Sequence, residues 1–213
     1  MYNEIGVLGI DMSALGTLQY WGLTFLVGLI AYLIGNISPA TMIAKAKGID
    51  IRKEGSGNPG TTNVLRVMGK KAAVIVLLVD VFKGVIPVVL AGVLLGSSIS
   101  GLAAIMVFFG HVFPATAGGK GGKGVATAFG ALTAIHPGLG FGCLGIVIVV
   151  VAISKRMSLG SIIGAAACPV LAWFLAPHFV PEALMMAVVV IWRHKDNIKR
   201  LAAGEEPKLS FKK

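Results

Sequence analysis

Residues 71–95 read KAAVIVLLVDVFKGVIPVVLAGVLL, an apolar run whose only internal charges are Asp80 and Lys83. A helix needs about 20 apolar residues to cross the hydrocarbon core of a bilayer, so this run is long enough for a full crossing. The whole chain of 213 residues is 56% hydrophobic and only 13% charged, whereas soluble domains carry about 25% charged residues. The composition therefore predicts an all-α integral membrane protein, with residues 1–213 forming a single polytopic domain.

Similar runs recur along the chain and predict about seven transmembrane helices. The fourth and the seventh are short for a full crossing, which takes about 17–25 residues. A half-crossing beside a glycine-rich loop is the alternative for the fourth. The predicted spans are 20–44, 71–95, 99–116, 125–136, 138–154, 159–177 and 180–193.

The basic residues predict how the chain is oriented in the membrane. Of the 19 Lys and Arg residues, all but Lys83 fall in four segments, at 45–71, 117–124, 155–158 and 193–213. Cytoplasmic loops carry such an excess of positive charge. The N-terminal segment 1–19 is therefore predicted to be extracytoplasmic and the tail 194–213 cytoplasmic. This distribution also explains the net charge of +10 without nucleic acid as a partner, and it lets the four segments converge on one site.

The first polar segment is rich in glycine, hydroxyl and amide groups and ends in an arginine. Such a segment provides backbone N–H groups and a guanidinium fork, which are suitable ligands for a phosphate. It contains G-x-G-x-x-G, but a dinucleotide site would also need a preceding strand and a βαβ unit. A flexible linker is the alternative. The candidate phosphate ligands are Gly55, Ser56, Gly57, Asn58, Thr62, Asn63 and Arg66.

A second glycine-rich segment, at 118–124, leads into an apolar run. The start of a helix presents unpaired N–H groups and a positive dipole, so this segment predicts a second anion site. The alternative is a connecting loop whose lysines only set the membrane orientation. The candidate residues are Gly121, Gly122, Lys123, Gly124 and Thr127.

Two charges inside the second span lie three residues apart and share one helix face. Asp80 and Lys83 are either a neutralised structural pair or part of the site, and Lys83 is kept as a candidate phosphate ligand. His111, near the end of the third span, is interpreted as a hydrogen-bonding group in helix packing rather than as a base.

The C-terminal basic segment holds a further polar group. His194 and Asn197 share a helix face, Glu206 follows, and Ser158 lies in another segment predicted on the same side of the membrane. These four residues are candidates for substrate binding or catalysis. The alternative is a basic cytoplasmic anchor without chemistry.

Several catalytic motifs are missing from the sequence. It has no H-x-x-x-x-D, G-x-S-x-G, H-E-x-x-H or C-x-x-C pattern, and Cys143 and Cys168 both lie in apolar spans. The sequence therefore gives no support for a serine hydrolase, a metal hydrolase or a disulfide framework. No metal or organic cofactor is predicted.

The pieces at 55–66, 80–84, 110–114, 121–127 and 193–198 together resemble one family. It is the family of bacterial membrane glycerol-3-phosphate acyltransferases that use acyl-phosphate as donor. The resemblance covers roughly residues 30–206, with the pieces in the family's order. Gly119 departs from it, because an aromatic residue is expected there.

The resemblance implies acyl transfer from acyl-phosphate to the 1-hydroxyl of glycerol 3-phosphate, which yields lysophosphatidic acid and phosphate. This is the first acylation step of phospholipid synthesis. It also implies a seven-helix protein of the bacterial cytoplasmic membrane, with its site facing the cytoplasm. The expected partners are the two substrates, the lipid bilayer and the upstream phosphate acyltransferase that makes the donor.

An acyltransferase of this kind would give the candidate residues the following roles. Ser56, Arg66 and Lys123, with N–H groups around Gly121 and Gly122, are expected to hold the phosphates and the developing oxyanion. A group of Ser158, His194 and Asn197 would orient glycerol 3-phosphate. The base is either His194 or an oxygen of a substrate phosphate. A transporter of a small anionic solute and a phosphate-binding regulator without turnover are the competing classes.

Overall fold

The computed structural model describes residues 12–209, and every regular element in that range is helical. This confirms the predicted all-α class. Residues 1–11, and with them most of the predicted extracytoplasmic segment, lie outside the described range. The α-helices are α1 (Thr17–Gly35), α2 (Pro39–Ala46), α3 (Thr61–Leu95), α4 (Ser97–Val112), α5 (Val125–Ile135), α6 (Pro137–Ser154), α7 (Met157–Leu175), α8 (Val180–Arg193) and α9 (Lys195–Ala202).

Within residues 12–209, five helical stretches are long and apolar enough to cross a membrane, namely Thr17–Ala46, Thr61–Leu95, Ser97–Ala117, Pro137–Ser154 and Met157–Leu175. Helix α5 has only 11 residues. At 1.5 Å per residue it is about 16 Å long, well short of a hydrocarbon core of about 30 Å. Its length suits a half-crossing, whereas the total of seven crossings and their orientation stay predictions.

The first predicted span, 20–44, is not one continuous helix. Helix α1 ends at Gly35, and α2 begins at Pro39 after an N-cap at Ser38, whose Oγ accepts the N–H of Thr41. Proline fits the first turn of a helix because it has no N–H to leave unpaired. The sequence therefore divides the apolar stretch into two helices, which the prediction of a single span missed.

Helix α3 begins earlier than predicted. Residues 61–70, which were assigned to a loop, are helical, and Gly69 interrupts the helix with φ 83° and ψ −177°. This backbone region is open almost only to glycine. The segment from Thr61 to Met68 thus forms a separate piece of helix of about two turns, which carries Arg66 and precedes the apolar run.

The chain divides into two compact units after Ile135. In the first unit, α3 packs against α4 and α5, and α1 packs against α4. Glycines allow the closest approach: a Cβ on Gly84 would collide with the backbone of Thr127, and one on Gly130 with that of Val81. Small residues at such contacts are typical of helix packing in membranes. The position of α5, and hence of the loop before it, is fixed by this packing.

In the second unit, α7 packs against α6 and α8. Gly160 and Gly164 on α7 face Val147 of α6. Cys143 and Cys168 are buried, free cysteines. Helix α9 follows α8 and carries Asn197 and Arg200, and Glu206 lies shortly after it.

Candidate active site

The loop at residues 47–60 is organised by the side chain of Asn63. Its Oδ1 accepts the N–H of Ser56 at 2.8 Å, and its Nδ2 donates to the carbonyl of Glu54 at 3.0 Å. Asn63 is only 2% exposed. Its amide is therefore used within the protein, and the structure gives it a different role from the predicted phosphate contact: Asn63 shapes the loop that presents Ser56.

Two glycines of this loop are also explained by its shape. Gly55 and Gly57 have φ values of 58° and 69°, in the left-handed region that favours glycine. A Cβ on Gly55 would also collide with Oδ1 of Asn63. Their predicted contact with phosphate is not needed to account for them.

The remaining candidates of this segment surround the start of α3. Ser56 and Arg66 are exposed, and Asn58 and Thr62 are half-buried. The N–H groups of Asn63 and Val64 both bond to the carbonyl of Gly60. The N–H groups of Thr61 and Thr62 have no partner inside the helix, because the first turn of a helix has none to offer. This end therefore combines N–H donors, hydroxyls and a guanidinium, which suits a phosphate.

The second glycine-rich loop differs from the prediction in one respect. The N–H of Gly121 donates to the carbonyl of Val112, and that of Gly122 to the carbonyl of His111, both at 3.2 Å. In this structure these two N–H groups attach the loop to the end of α4, and a phosphate contact by the two glycines stays a prediction. A Cβ on either glycine would collide with His111. Glycine at these two positions lets the loop lie this close to the end of α4.

The predicted helix start after this loop is confirmed, since α5 begins at Val125. Ala128 is the first residue to bond back, donating to the carbonyl of Gly124 at 2.7 Å. The N–H groups of Val125, Ala126 and Thr127 therefore have no partner inside the helix. They are further candidate donors to an anion.

The other candidates here differ in accessibility. Lys123 is half-buried. Thr127 is completely buried, and its Oγ1 makes no hydrogen bond within residues 12–209. Its contact with a substrate would require the first turn of α5 to open.

A residue that was not predicted joins the two loops. Arg52 Nη2 donates to the carbonyl of Lys120 at 3.2 Å. This bond brings the 47–60 loop next to the 118–124 loop on one side of the first unit. No sequence pattern indicates this contact, because the two residues are 68 positions apart in the chain.

Lys83 is not available for phosphate. Its Nζ lies 2.7 Å from Oδ1 of Asp80 and donates to the carbonyl of Ile37 at 2.6 Å. His111 Nδ1 lies 3.5 Å from the same carboxylate oxygen. All three side chains are buried, so the structure favours the neutralised pair over the predicted phosphate contact of Lys83.

In the second unit, Glu206 holds the segment after α9 against that helix. Its carboxylate accepts from Asn197 Nδ2 at 2.6 Å and from Arg200 Nε at 2.8 Å, while Arg156 Nε donates to its backbone carbonyl at 3.2 Å. A carboxylate repels phosphate, and this one is already paired. The predicted phosphate contact of Glu206 is therefore replaced by a role in holding Asn197.

The pKa of Glu206 follows from these contacts. Burial raises the pKa of the carboxyl group, but the neighbouring Ser158, Asn197 and Arg200 lower it by more. The pKa therefore lies below the usual value of 4.5. The carboxylate is therefore ionised at neutral pH. Ser158 is buried beside it.

His194 has one ring nitrogen in a defined contact. Its Nδ1 lies 2.8 Å from the carbonyl of Val190, and the residue is buried. A carbonyl can only accept, so Nδ1 carries a proton, and in the neutral ring Nε2 is the basic nitrogen. His194 and Asn197 lie in one polar group, at the start of α9.

The described residues therefore form an all-helical integral membrane protein whose polar groups collect at loops and helix starts. A family model described as glycerol-3-phosphate acyltransferase matches residues 25–204. The glycerol-3-phosphate acyltransferase of Shewanella oneidensis is 45% identical over 193 residues, covering 90% of this chain and 95% of that protein. That of Shewanella putrefaciens is 46% identical with the same coverage.

Solved structures agree with these relatives. The crystal structure of PlsY (YgiH), an integral membrane glycerol 3-phosphate acyltransferase, matches in its glycerol 3-phosphate form with a TM-score of 0.83 and 32% identity, over 89% of this chain and 96% of that one. The lysophosphatidic acid form matches with a TM-score of 0.80. The chain belongs to the glycerol-3-phosphate acyltransferase family, and its relatives support an acyltransferase activity.

Proposed function

We propose that the protein transfers a fatty acyl group from acyl-phosphate to the 1-hydroxyl of glycerol 3-phosphate. The hydroxyl oxygen attacks the acyl carbonyl, the bond from the acyl carbon to the phosphate oxygen breaks, and lysophosphatidic acid and inorganic phosphate leave. The observation that carries this proposal is the pair of helix starts, at α3 and α5, whose preceding loops are joined by the bond from Arg52 to Lys120. Both substrates carry phosphate, which helix N-termini bind well.

The choice of acyl-phosphate as donor rests on the chemistry that the chain offers. Phosphate is a good leaving group, so the main tasks are to position the substrates and to stabilise charge. Arg66 and Lys123 supply positive charge, and the first N–H groups of α3 and α5 supply donors. An H-x-x-x-x-D dyad would suit a donor that needs more activation. The sequence lacks this pattern.

The acceptor is assigned to the polar group of the second unit. Ser158, His194 and Asn197 would orient glycerol 3-phosphate, with Glu206 fixing Asn197 through the 2.6 Å hydrogen bond. The protonated Nδ1 of His194 makes Nε2 the basic nitrogen, so we assign His194 as the base that takes the proton of the attacking hydroxyl. A phosphate oxygen of either substrate is the alternative acceptor of this proton.

The reaction would take place at the cytoplasmic face of a bacterial inner membrane, as the first acylation of phospholipid synthesis. The donor would come from an enzyme that makes acyl-phosphate. The acyl chain would enter from the bilayer between helices.

The test uses purified protein in detergent or in nanodiscs. Phosphate release and lysophosphatidic acid are measured with acyl-phosphate alone, glycerol 3-phosphate alone and both together. We expect equal amounts of the two products, formed only when both substrates are present. A requirement for acyl-CoA instead would contradict the donor assignment. Solute uptake into proteoliposomes without any product would identify a transporter, and phosphate binding without turnover would identify a regulator.

A further inference from the structure

We infer that Asp80 and His111 are positioning residues, which hold the 118–124 loop in place and with it the start of α5. The inference rests on the proposed function, because that function makes this helix start a phosphate site. Neither side chain is assigned a contact with substrate. They act through Gly122, which lies between His111 and Lys123.

The contacts form a continuous path from α3 to the loop. Asp80 Oδ1 lies 3.5 Å from Nδ1 of His111. The opposite edge of the same ring faces Gly122, where an added Cβ would meet Nε2, Cε1 and Cδ2 of His111 as its three nearest atoms. The carbonyl of His111 also accepts the N–H of Gly122 at 3.2 Å. The imidazole is thus held between a carboxylate and the backbone of the loop.

Lys83 keeps the carboxylate in place. It lies 2.7 Å from Asp80 and donates to the carbonyl of Ile37, in the segment between α1 and α2. The Asp80 carboxylate can therefore face His111 without being an isolated charge, which is unfavourable at membrane depth. The network joins α3 and α4 to the loops before α2 and α5.

Stability alone is a weak explanation for these charges. Replacing a buried ion pair by apolar side chains of similar volume is often neutral or even stabilising. An apolar trio would therefore pack at least as well at this position. A carboxylate, by contrast, fixes the orientation of an imidazole ring. Orientation matters here because the ring surface is the support against which Gly122 lies.

The expected effect of disturbing the ring follows from its place in the path. Gly122 is followed at once by Lys123 and Gly124, and then by the first N–H groups of α5. A displacement of about 1 Å in a positioning element can cost on the order of 100-fold in rate. We therefore expect His111→Leu to lower kcat/KM by about ten- to hundredfold and to raise the KM of at least one phosphorylated substrate.

The kinetic test compares three variants with the wild type. His111→Leu fills the space without a polar group, whereas His111→Asn retains a donor near the position of Nδ1. Ser100→Ala, on the same helix, removes a buried hydroxyl that donates to the carbonyl of Ser97, and it serves as the matched control. We expect the KM of His111→Asn to rise less than that of His111→Leu. The kinetic constants of Ser100→Ala should equal those of the wild type.

A double-variant cycle tests the contact itself. Gly122→Ala should lose activity because the new methyl group meets the His111 ring. In the His111→Ala, Gly122→Ala protein the obstruction is gone, so the combined loss should be no greater than the larger single loss. Losses that multiply would show that the ring does not act on Gly122 and would overturn the inference.

Hydrogen exchange of residues 118–127 separates this inference from the proposed function, because it needs no turnover. We expect faster exchange there in His111→Leu and Asp80→Asn, but not in Ser100→Ala. Unchanged exchange in folded His111→Leu protein overturns the positioning role, even if the enzyme is an acyltransferase. Faster exchange in these variants, combined with a wild-type protein that shows no acyl transfer, supports the positioning role and rejects the proposed function. If Asp80→Asn does not fold, the His111 series decides alone.

Discussion

The side-chain oxygen of Asn63 accepts the backbone N–H of Ser56 at 2.8 Å. This bond connects the first turn of α3 to a loop residue that is exposed and chemically useful. The other end of the same amide donates to the carbonyl of Glu54. Asn63 therefore fixes the position of Ser56 relative to the helix start that would bind phosphate.

Asn63→Asp is the informative change at this position. It keeps the oxygen that accepts from Ser56 but replaces the donor by a second oxygen facing the carbonyl of Glu54. An unsatisfied buried group costs about 1–3 kcal/mol, and more when charged, so we expect kcat/KM to fall at least about tenfold. Steady-state kinetics on folded protein measures this. Lys53→Ala, at a highly exposed side chain, is the control, and an equal loss in both would contradict the role of Asn63.

Gly69→Ala tests the break in α3. A Cβ there would meet no atom within 4 Å, so only the backbone with φ 83° and ψ −177° opposes it. A residue other than glycine in this region costs about 1–3 kcal/mol. We expect lower thermal stability or a shift of the segment that carries Arg66, with lower kcat/KM. Gly22→Ala, also in open space but within a regular helix, should behave like the wild type.

Arg66→Lys tests whether the guanidinium fork binds phosphate. Arginine can form two parallel hydrogen bonds to a phosphate, whereas lysine acts as a point charge. We expect kcat/KM to fall about tenfold or more, with the loss largest in KM. Binding of inorganic phosphate, measured by calorimetry, should weaken in parallel. Full activity of the lysine variant would exclude a bidentate role.

His194→Ala tests the assignment of the base. General base catalysis contributes roughly 10²–10⁴-fold, so kcat should fall within this range. A kcat near that of the wild type with a raised KM would instead make His194 a binding residue and a phosphate oxygen the base. The kcat of Asn197→Ala is the comparison, because Asn197 lies near His194 but its side chain has no basic nitrogen.

The pKa of Glu206 predicts how acid affects the C-terminal segment. Because the pKa is lowered in the folded protein, the ionised carboxylate stabilises the fold above the usual value of 4.5. That contribution is lost as the pH falls through the lowered pKa. The Tm difference between the wild type and Glu206→Gln should be largest at pH 7 and should shrink below about pH 4.5. A difference that grows in acid would contradict the assignment.

The sequence predicted the elements whose signal is local. The spacing of Asp80 and Lys83 indicated their pairing, and glycines before an apolar run indicated the start of α5. The start of α3 was missed because residues 61–68 are too polar to look like a membrane helix. The sequence did not predict the hydrogen bonds from Gly121 and Gly122 to the end of α4. It also did not predict the hydrogen bond from Arg52 to Lys120. These contacts arise only when distant segments pack together.

The proposed acyl transfer requires that the basic segments face the same side of the membrane, because both substrates must meet there. Single cysteines at exposed Lys53, Lys120 and Lys195, in a chain whose Cys143 and Cys168 are replaced by Ala, can be labelled in intact cells and in inverted vesicles. We predict that a membrane-impermeant maleimide labels all three only in inverted vesicles. Labelling of any one of them in intact cells would contradict the account.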